Sequence, residues 1–132
     1  MRRLALLFVV LAGCERAPLV EPEPAAPTLA DVQAQIFSTS CALSGCHLGA
    51  SAPLGLDLSE GRAYGNTVGV RSQERPDLFR IASGDPGASY LVMKVEGAAG
   101  IVGAQMPLGG VPLSAAQIGL LRDWIADGAP EN

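Results

Sequence analysis

Two of the three cysteines in this 132-residue chain lie beside its only histidine, in the segment Cys41-Ala42-Leu43-Ser44-Gly45-Cys46-His47. Two thiols and an imidazole this close together restrict the local fold, because they are suited to holding a prosthetic group, a metal ion or a disulfide. Aromatic residues make up only 5% of the chain, so a core made of protein alone would contain few large rings. The sequence therefore favours a domain that a bulky apolar cofactor completes.

The segment has the parts of a c-type haem attachment site. Cys41 and Cys46 provide the thiols that add across the porphyrin vinyl groups, and His47 provides the nitrogen that binds iron. The usual spacing is C-x-x-C-H, whereas two further residues separate the cysteines here. A five-residue helical step turns the chain about 500°, against about 300° for three residues, so the segment must bulge. Ser44 and Gly45 make such a bulge feasible.

Other interpretations of the same residues remain open. In an oxidising compartment Cys41 and Cys46 can form a disulfide, with His47 as a surface or capping residue, in a haem-free lipoprotein that acts as an interaction or structural module. A structural zinc site lacks its fourth ligand. A thioredoxin-like pair would need C-x-x-C on a βαβ pattern. A peroxidase would need distal acid–base groups, and no second histidine supplies them.

Bis-histidine ligation of one haem iron within this chain is impossible, so the sixth ligand is a methionine, Lys94 or water. Met93 lies in a predicted helix among apolar residues, where a methionine is commonly core. Met106 precedes Pro107 in a glycine-rich loop that can present a thioether to a flat cofactor. The sequence therefore predicts that His47 and Met106 are the two axial ligands of one covalent haem.

The N-terminus predicts export and a lipid anchor. Arg2 and Arg3 precede a short apolar run that is typical of a signal peptide, which we assign to residues 1–13. The run ends in Leu11-Ala12-Gly13-Cys14, which resembles the lipobox of bacterial lipoproteins, so Cys14 is the predicted lipidation site. Residues 14–27 are Pro-rich and acidic and predict a tether, followed by the domain over 28–132.

Charge excludes one class of partner. Removal of residues 1–13 leaves seven basic against thirteen acidic residues, a net charge of −6. A nucleic-acid-binding protein needs clustered basic residues, and the mature chain has none longer than Arg71 and Arg75 with an acidic residue between them. We expect membrane attachment through the lipid and an unidentified redox partner protein.

The apolar spacing predicts a mostly α fold of about four short helices joined by Gly/Pro-rich loops. Capping boxes begin helices at Thr28, for a helix over about 28–38, and at Ser114, for a last helix that stops at Gly128. Asp85-Pro86 predicts a helix start, with the end at Gly97. A short helical turn is expected over 59–64, and residues 72–77 are expected to be a surface loop.

These elements together resemble the cytochrome c-like domains of exported proteins in environmental bacteria, including planctomycetes and myxobacteria. The similarity covers nearly all of residues 28–129 and is carried by Cys41 to His47, Gly55 to Leu58, Ser83 to Pro86, Ser89 to Leu91 with Lys94, Met106-Pro107, and Trp124-Ile125 with Gly128-Ala129. The wider cysteine spacing is the departure from that pattern.

The resemblance implies a compact domain around a haem, with the first and last helices packed together. It also implies one-electron transfer at the cell envelope, with the protein facing the periplasm. The lipobox resemblance implies an outer-membrane anchor, because Glu15 after the lipidated cysteine is not the Asp associated with retention in the inner membrane. Such a protein is an electron carrier and not an enzyme. Four residues are candidates for contact with the haem propionates or for packing against the ring, and each also fits an ordinary surface or core position: Arg80, Tyr90, Lys94 and Trp124.

Overall fold

The first helix begins at a capping box and changes its pitch after one turn. In the computed structural model, which describes residues 25–132, Thr28 accepts from the Asp31 amide and the Asp31 carboxylate accepts from the Thr28 amide. The chain is α-helical over Leu29–Val32 and continues as a π-helix over Gln33–Cys41; we call both parts α1. The predicted helix is confirmed, and its π-helical part carries it on to Cys41. The predicted signal peptide, Cys14 and most of the tether lie outside the described residues.

A hydrogen-bonded turn leads into the second helix. The amides of Arg62 and Ala63 donate to Ser59 O at 3.0 and 3.1 Å, so the expected turn does begin at Ser59, whose amide and hydroxyl donate to the Asp57 carboxylate. Gly61 has a left-handed φ of 74°, which keeps this turn from being regular α-helix. Helix α2 spans Ala63–Thr67 and therefore continues past Gly65, before which the turn was expected to end.

The third helix is preceded by a separate 3-10 turn. Asp85 caps the amide of Ala88 as expected, but the turn covers only Pro86–Ala88. Ser89 is extended because its hydroxyl donates to Asp85 O and accepts from the Ala82 amide. Helix α3 then spans Tyr90–Glu96 and ends at Gly97, which has a φ of 67°.

The last helix follows its sequence signals closely. Ser114 and Gln117 form the capping box, α4 spans Ala115–Ala126, and Gly128 has a φ of 98°. The side chain of Gln117 donates to Gln35 O, 2.8 Å away, and so ties α4 to α1. The two helices share the core of the domain.

The described residues form a mostly helical domain without strands, as predicted. Residues 25–132 contain isolated bridges, such as Val68 to Ile81, but no continuous β-ladder. The core unites one face of each long element: Val32, Ile36 and Phe37 from α1; Leu91, Val92 and Val95 from α3; Leu121, Trp124 and Ile125 from α4. None of the helices described for residues 25–132 has the length and apolar character needed to span a membrane.

Candidate functional site

A cavity of about 260 Å³ lies beside α3, and three of the predicted site residues line it: Cys41, His47 and Met106. They come from the end of α1, the loop after it and the loop before α4. Most of the remaining wall is aliphatic: Pro53, Leu54, Leu56, Leu58, Leu91, Val95 and Leu108. The fold therefore brings a thiol, an imidazole and a thioether to one apolar cavity.

The imidazole of His47 is oriented by a backbone carbonyl. Its Nδ1 lies 3.0 Å from Leu56 O, and because a carbonyl oxygen only accepts, Nδ1 donates. In the neutral ring the lone pair is then on Nε2, the arrangement usual for a histidine that ligates a metal. Burial lowers the pKa of His47, although the hydrogen bond to Leu56 opposes this effect. The neutral ring is therefore favoured over the imidazolium.

The segment from Cys41 to His47 leaves the helix and turns back on itself. The last π-helical bond joins the Ala42 amide to Phe37 O at 2.7 Å, and the His47 amide then donates to Cys41 O at 3.1 Å. Gly45 has a φ of 80°, a left-handed conformation that a residue with a side chain adopts only at a cost. The segment thus bulges at Gly45, where the widened spacing predicted it.

The two cysteines have different surroundings, and both are free thiols. Cys41 lines the cavity, and burial, reinforced by Cys46, raises its pKa to about 11. Cys46 is exposed and is not part of the cavity wall. The structure therefore places one of the two predicted attachment sulfurs at the cavity.

The fold separates Met93 and Met106, the two methionines considered as the sixth iron ligand. Met106 lies in the cavity wall, and its amide donates to Lys94 O at 2.9 Å. Its neighbour Gln105 donates through its side chain to Val95 O at 2.8 Å. Met93 is half-buried on α3 and does not line the cavity.

A polar network forms one side of the cavity. Tyr90 Oη donates to the Glu74 carboxylate at 2.7 Å, and Lys94 Nζ lies 3.2 Å from the same carboxylate. Both side chains also contact Val102, in the loop between α3 and α4 that carries Met106; we call it the methionine loop. Lys94 donates to the Val102 carbonyl at 2.7 Å, and the Val102 amide donates to Tyr90 Oη at 2.9 Å. This network joins α3 to the loop that carries Met106.

The candidate haem partners divide between the cavity and the core. Arg80, Tyr90 and Lys94 line the cavity. Trp124 is fully buried in the core and its indole donates to Pro130 O, so it is a structural residue. Sequence reasoning missed Glu74, because the polar stretch over 72–77 predicts only a surface loop. No local signal distinguishes this carboxylate from a solvated one.

Within residues 25–132 no group of three or more His, Cys, Asp or Glu side chains is placed to hold a metal ion. A scan against protein-family models gives no match for this chain, and comparisons with curated proteins and with solved structures give no significant match.

Proposed function

We propose that this chain carries one covalently attached c-type haem and transfers single electrons at the cell envelope, as an electron carrier and not as an enzyme. The meeting of His47, Met106 and Cys41 at one apolar cavity is the observation that carries the proposal. These are the residue types that a haem with His and Met axial ligands requires.

The cavity walls suit a flat apolar ring with a central metal. Aliphatic side chains form most of the wall, and polar side chains form one side of it. His47 has its Nε2 lone pair available because Nδ1 donates to Leu56 O, and the Met106 thioether would provide the second ligand to the iron. When bound, haem supplies one-electron redox chemistry at its iron, at a potential that Met ligation raises.

Attachment would use the thiols of Cys41 and Cys46. Each S–H adds across one vinyl C=C bond, so that an S–C and a C–H bond replace the π bond and no oxidant is consumed. Cys41 is already in the cavity wall, whereas Cys46 is exposed. Attachment at Cys46 therefore requires the loop after Cys41 to rearrange around Gly45.

We place the protein on the periplasmic side of the outer membrane, held by lipid on Cys14 and a tether over 14–27. This part of the proposal depends on the signal segment and the lipobox-like sequence. The net charge of the mature chain is −6, which suits a redox partner with a basic docking face.

A visible spectrum of the exported, mature protein tests the haem. We expect a pyridine haemochrome spectrum with one haem per chain, and we expect His47→Ala to lose the normal low-spin spectrum. A colourless protein with a Cys41–Cys46 disulfide would overturn the proposal in favour of the haem-free interaction module.

The two methionines provide a matched pair of variants for the sixth ligand. Met106→Ala should keep the attached haem but change its sixth ligand and lower its potential. Met93→Ala removes the same side chain from α3, outside the cavity, and should leave the spectrum unchanged. An unchanged low-spin spectrum in Met106→Ala would exclude Met106 as the ligand.

Mass spectrometry of the intact mature protein tests the attachments and the anchor together. The expected mass is that of a chain beginning at Cys14, with lipid on that residue and one haem added to Cys41 and Cys46. A chain that begins elsewhere, or lacks the lipid mass, would contradict the proposed anchor.

A further inference from the structure

Arg80 is a buried cation whose hydrogen bonds go to backbone carbonyls. Its exposed fraction is 7%, and none of the three ion pairs described for residues 25–132 includes it. Its guanidinium donates to Leu54 O at 2.5 Å and to Asn66 O at 2.8 Å, with a longer contact to Gly55 O at 3.4 Å. Burying a guanidinium without a counter-ion costs free energy. We therefore ask what the hydrogen bonds of Arg80 stabilise.

The turn that Arg80 holds is strained. Leu54 has a φ of 56° and Gly55 has a φ of 62°, so two successive residues are left-handed. Glycine adopts this conformation readily, but a leucine does so only where its surroundings impose it. Leu54 O also accepts from the side chain of Gln73 at 2.8 Å. Two side chains distant in sequence therefore hold this one carbonyl.

The residue directly after this turn orients the imidazole. Leu56 O accepts from His47 Nδ1 at 3.0 Å, and the amide of Leu58 donates to His47 O at 2.8 Å. A change in the turn at Leu54 and Gly55 would move the Leu56 carbonyl, because the three residues are consecutive. The position of that carbonyl determines which way the His47 ring faces.

We propose that Arg80 is a positioning residue for His47: it holds the left-handed turn at Leu54 and Gly55 and so sets the Leu56 carbonyl that orients the ring. This inference rests on the proposed role of His47 as an iron ligand. In that role the hydrogen bond keeps the proton on Nδ1 and makes Nε2 a stronger donor to the metal.

The test uses the exported, haem-loaded chain and measures solvent exchange of the His47 Nδ1 proton by NMR in the reduced state. Arg80→Gln should accelerate this exchange about tenfold, the factor that corresponds to the loss of one ordinary hydrogen bond. In the Arg80→Gln background, Leu54→Gly should make the exchange slower than in Arg80→Gln alone, since glycine needs no support in a left-handed turn.

Three further variants complete the design. Gln73→Ala removes the second donor to Leu54 O from an exposed position, so it reports on the turn even if Arg80→Gln does not fold. The exchange rate of the His47 Nδ1 proton should also rise in Gln73→Ala, but by less than in Arg80→Gln. Arg80→Lys keeps the charge without the forked donors and should raise the reduction potential, because the ring becomes a weaker donor. Arg122→Gln, at the Arg122–Glu96 surface pair, should change neither quantity.

Unchanged exchange in folded Arg80→Gln would overturn the inference; if that variant does not fold, unchanged exchange in Gln73→Ala would overturn it. If exchange is faster in Arg80→Gln and Leu54→Gly does not slow it in that background, Arg80 does not act on His47 through the turn at Leu54 and Gly55. A colourless exported chain would instead refute the proposed function. In that haem-free chain, the same variants are compared by measuring which nitrogen of the single imidazole carries the proton at pH 8. Arg80→Gln should reduce the population protonated on Nδ1, and unchanged populations would refute the positioning role.

Discussion

Burial acts on His47 and Cys41 in opposite directions but with the same result. It lowers the pKa of the imidazole and raises the pKa of the thiol to about 11, because a low-polarity environment disfavours the charged form of either group. At neutral pH the apolar wall therefore holds two uncharged groups. Neutral imidazole is the form that can bind iron.

The lowered pKa of His47 predicts how stability depends on pH in the haem-free chain. The folded state holds the ring neutral, so below the unfolded pKa of about 6.5 the unfolded chain binds more protons. The unfolding free energy should therefore fall as the pH is lowered from 7.5 to 5.5, as measured by urea unfolding. His47→Gln should show a smaller slope over this range, and equal slopes in the two proteins would contradict the prediction.

The pKa of Cys41 predicts unequal alkylation of the two free thiols in the haem-free, reduced chain. A pKa of about 11 instead of 9.0 lowers the thiolate fraction at pH 8 about a hundredfold. Iodoacetamide should therefore modify exposed Cys46 well before Cys41, with the order read by peptide mass spectrometry. Cys46→Ser should make the slow Cys41 reaction only slightly faster, because burial is the main cause of the raised Cys41 pKa and Cys46 the smaller one. Equal rates at the two sites in the wild-type chain would refute the prediction.

At the scale of elements, local signals predicted where helices start and stop better than their pitch. The capping boxes at Thr28 and Ser114 and the stop at Gly128 need only a few neighbouring residues, so they are legible in the sequence. The π-helical part of α1 cannot be predicted from the sequence, because Val32, Ile36 and Phe37 fall on one face of either an α-helix or a π-helix. The extended Ser89 depends on hydrogen bonds to the preceding loop, which no helical period reveals.

The hydroxyl of Tyr90 joins α3 to the methionine loop, and its removal should loosen that loop. Tyr90→Phe leaves Glu74 and the Val102 amide each without one partner, at an expected cost of about 1–2 kcal/mol in unfolding free energy. Urea unfolding measures the cost, and amide exchange at Val102 should become faster. Tyr64→Phe, at a partly buried ring on α2, is the matched control, and an equal loss there would refute a specific role for the network.

At the scale of the whole molecule, the sequence predicts features that depend on neighbouring residues, and it does not predict contacts between residues far apart along the chain. His47 and Met106 were identifiable because the chain has a single histidine and one methionine before a proline. The meeting of their side chains at one cavity, the carbonyl that orients His47 and the buried Arg80 all depend on residues brought together by folding. Those contacts have no local pattern.

The apolar cavity predicts that the protein is more stable when the proposed haem is bound than when it is absent. The wall of the cavity is largely aliphatic, and Leu54 and Leu108 in it are exposed. A bound haem would remove this apolar surface from water, which stabilises the folded state. The exported wild-type chain should therefore unfold at a higher urea concentration than exported Cys41→Ser/Cys46→Ser, which can form neither thioether nor disulfide. If a haem-loaded wild type and this colourless variant were equally stable, the haem would have to lie outside the cavity.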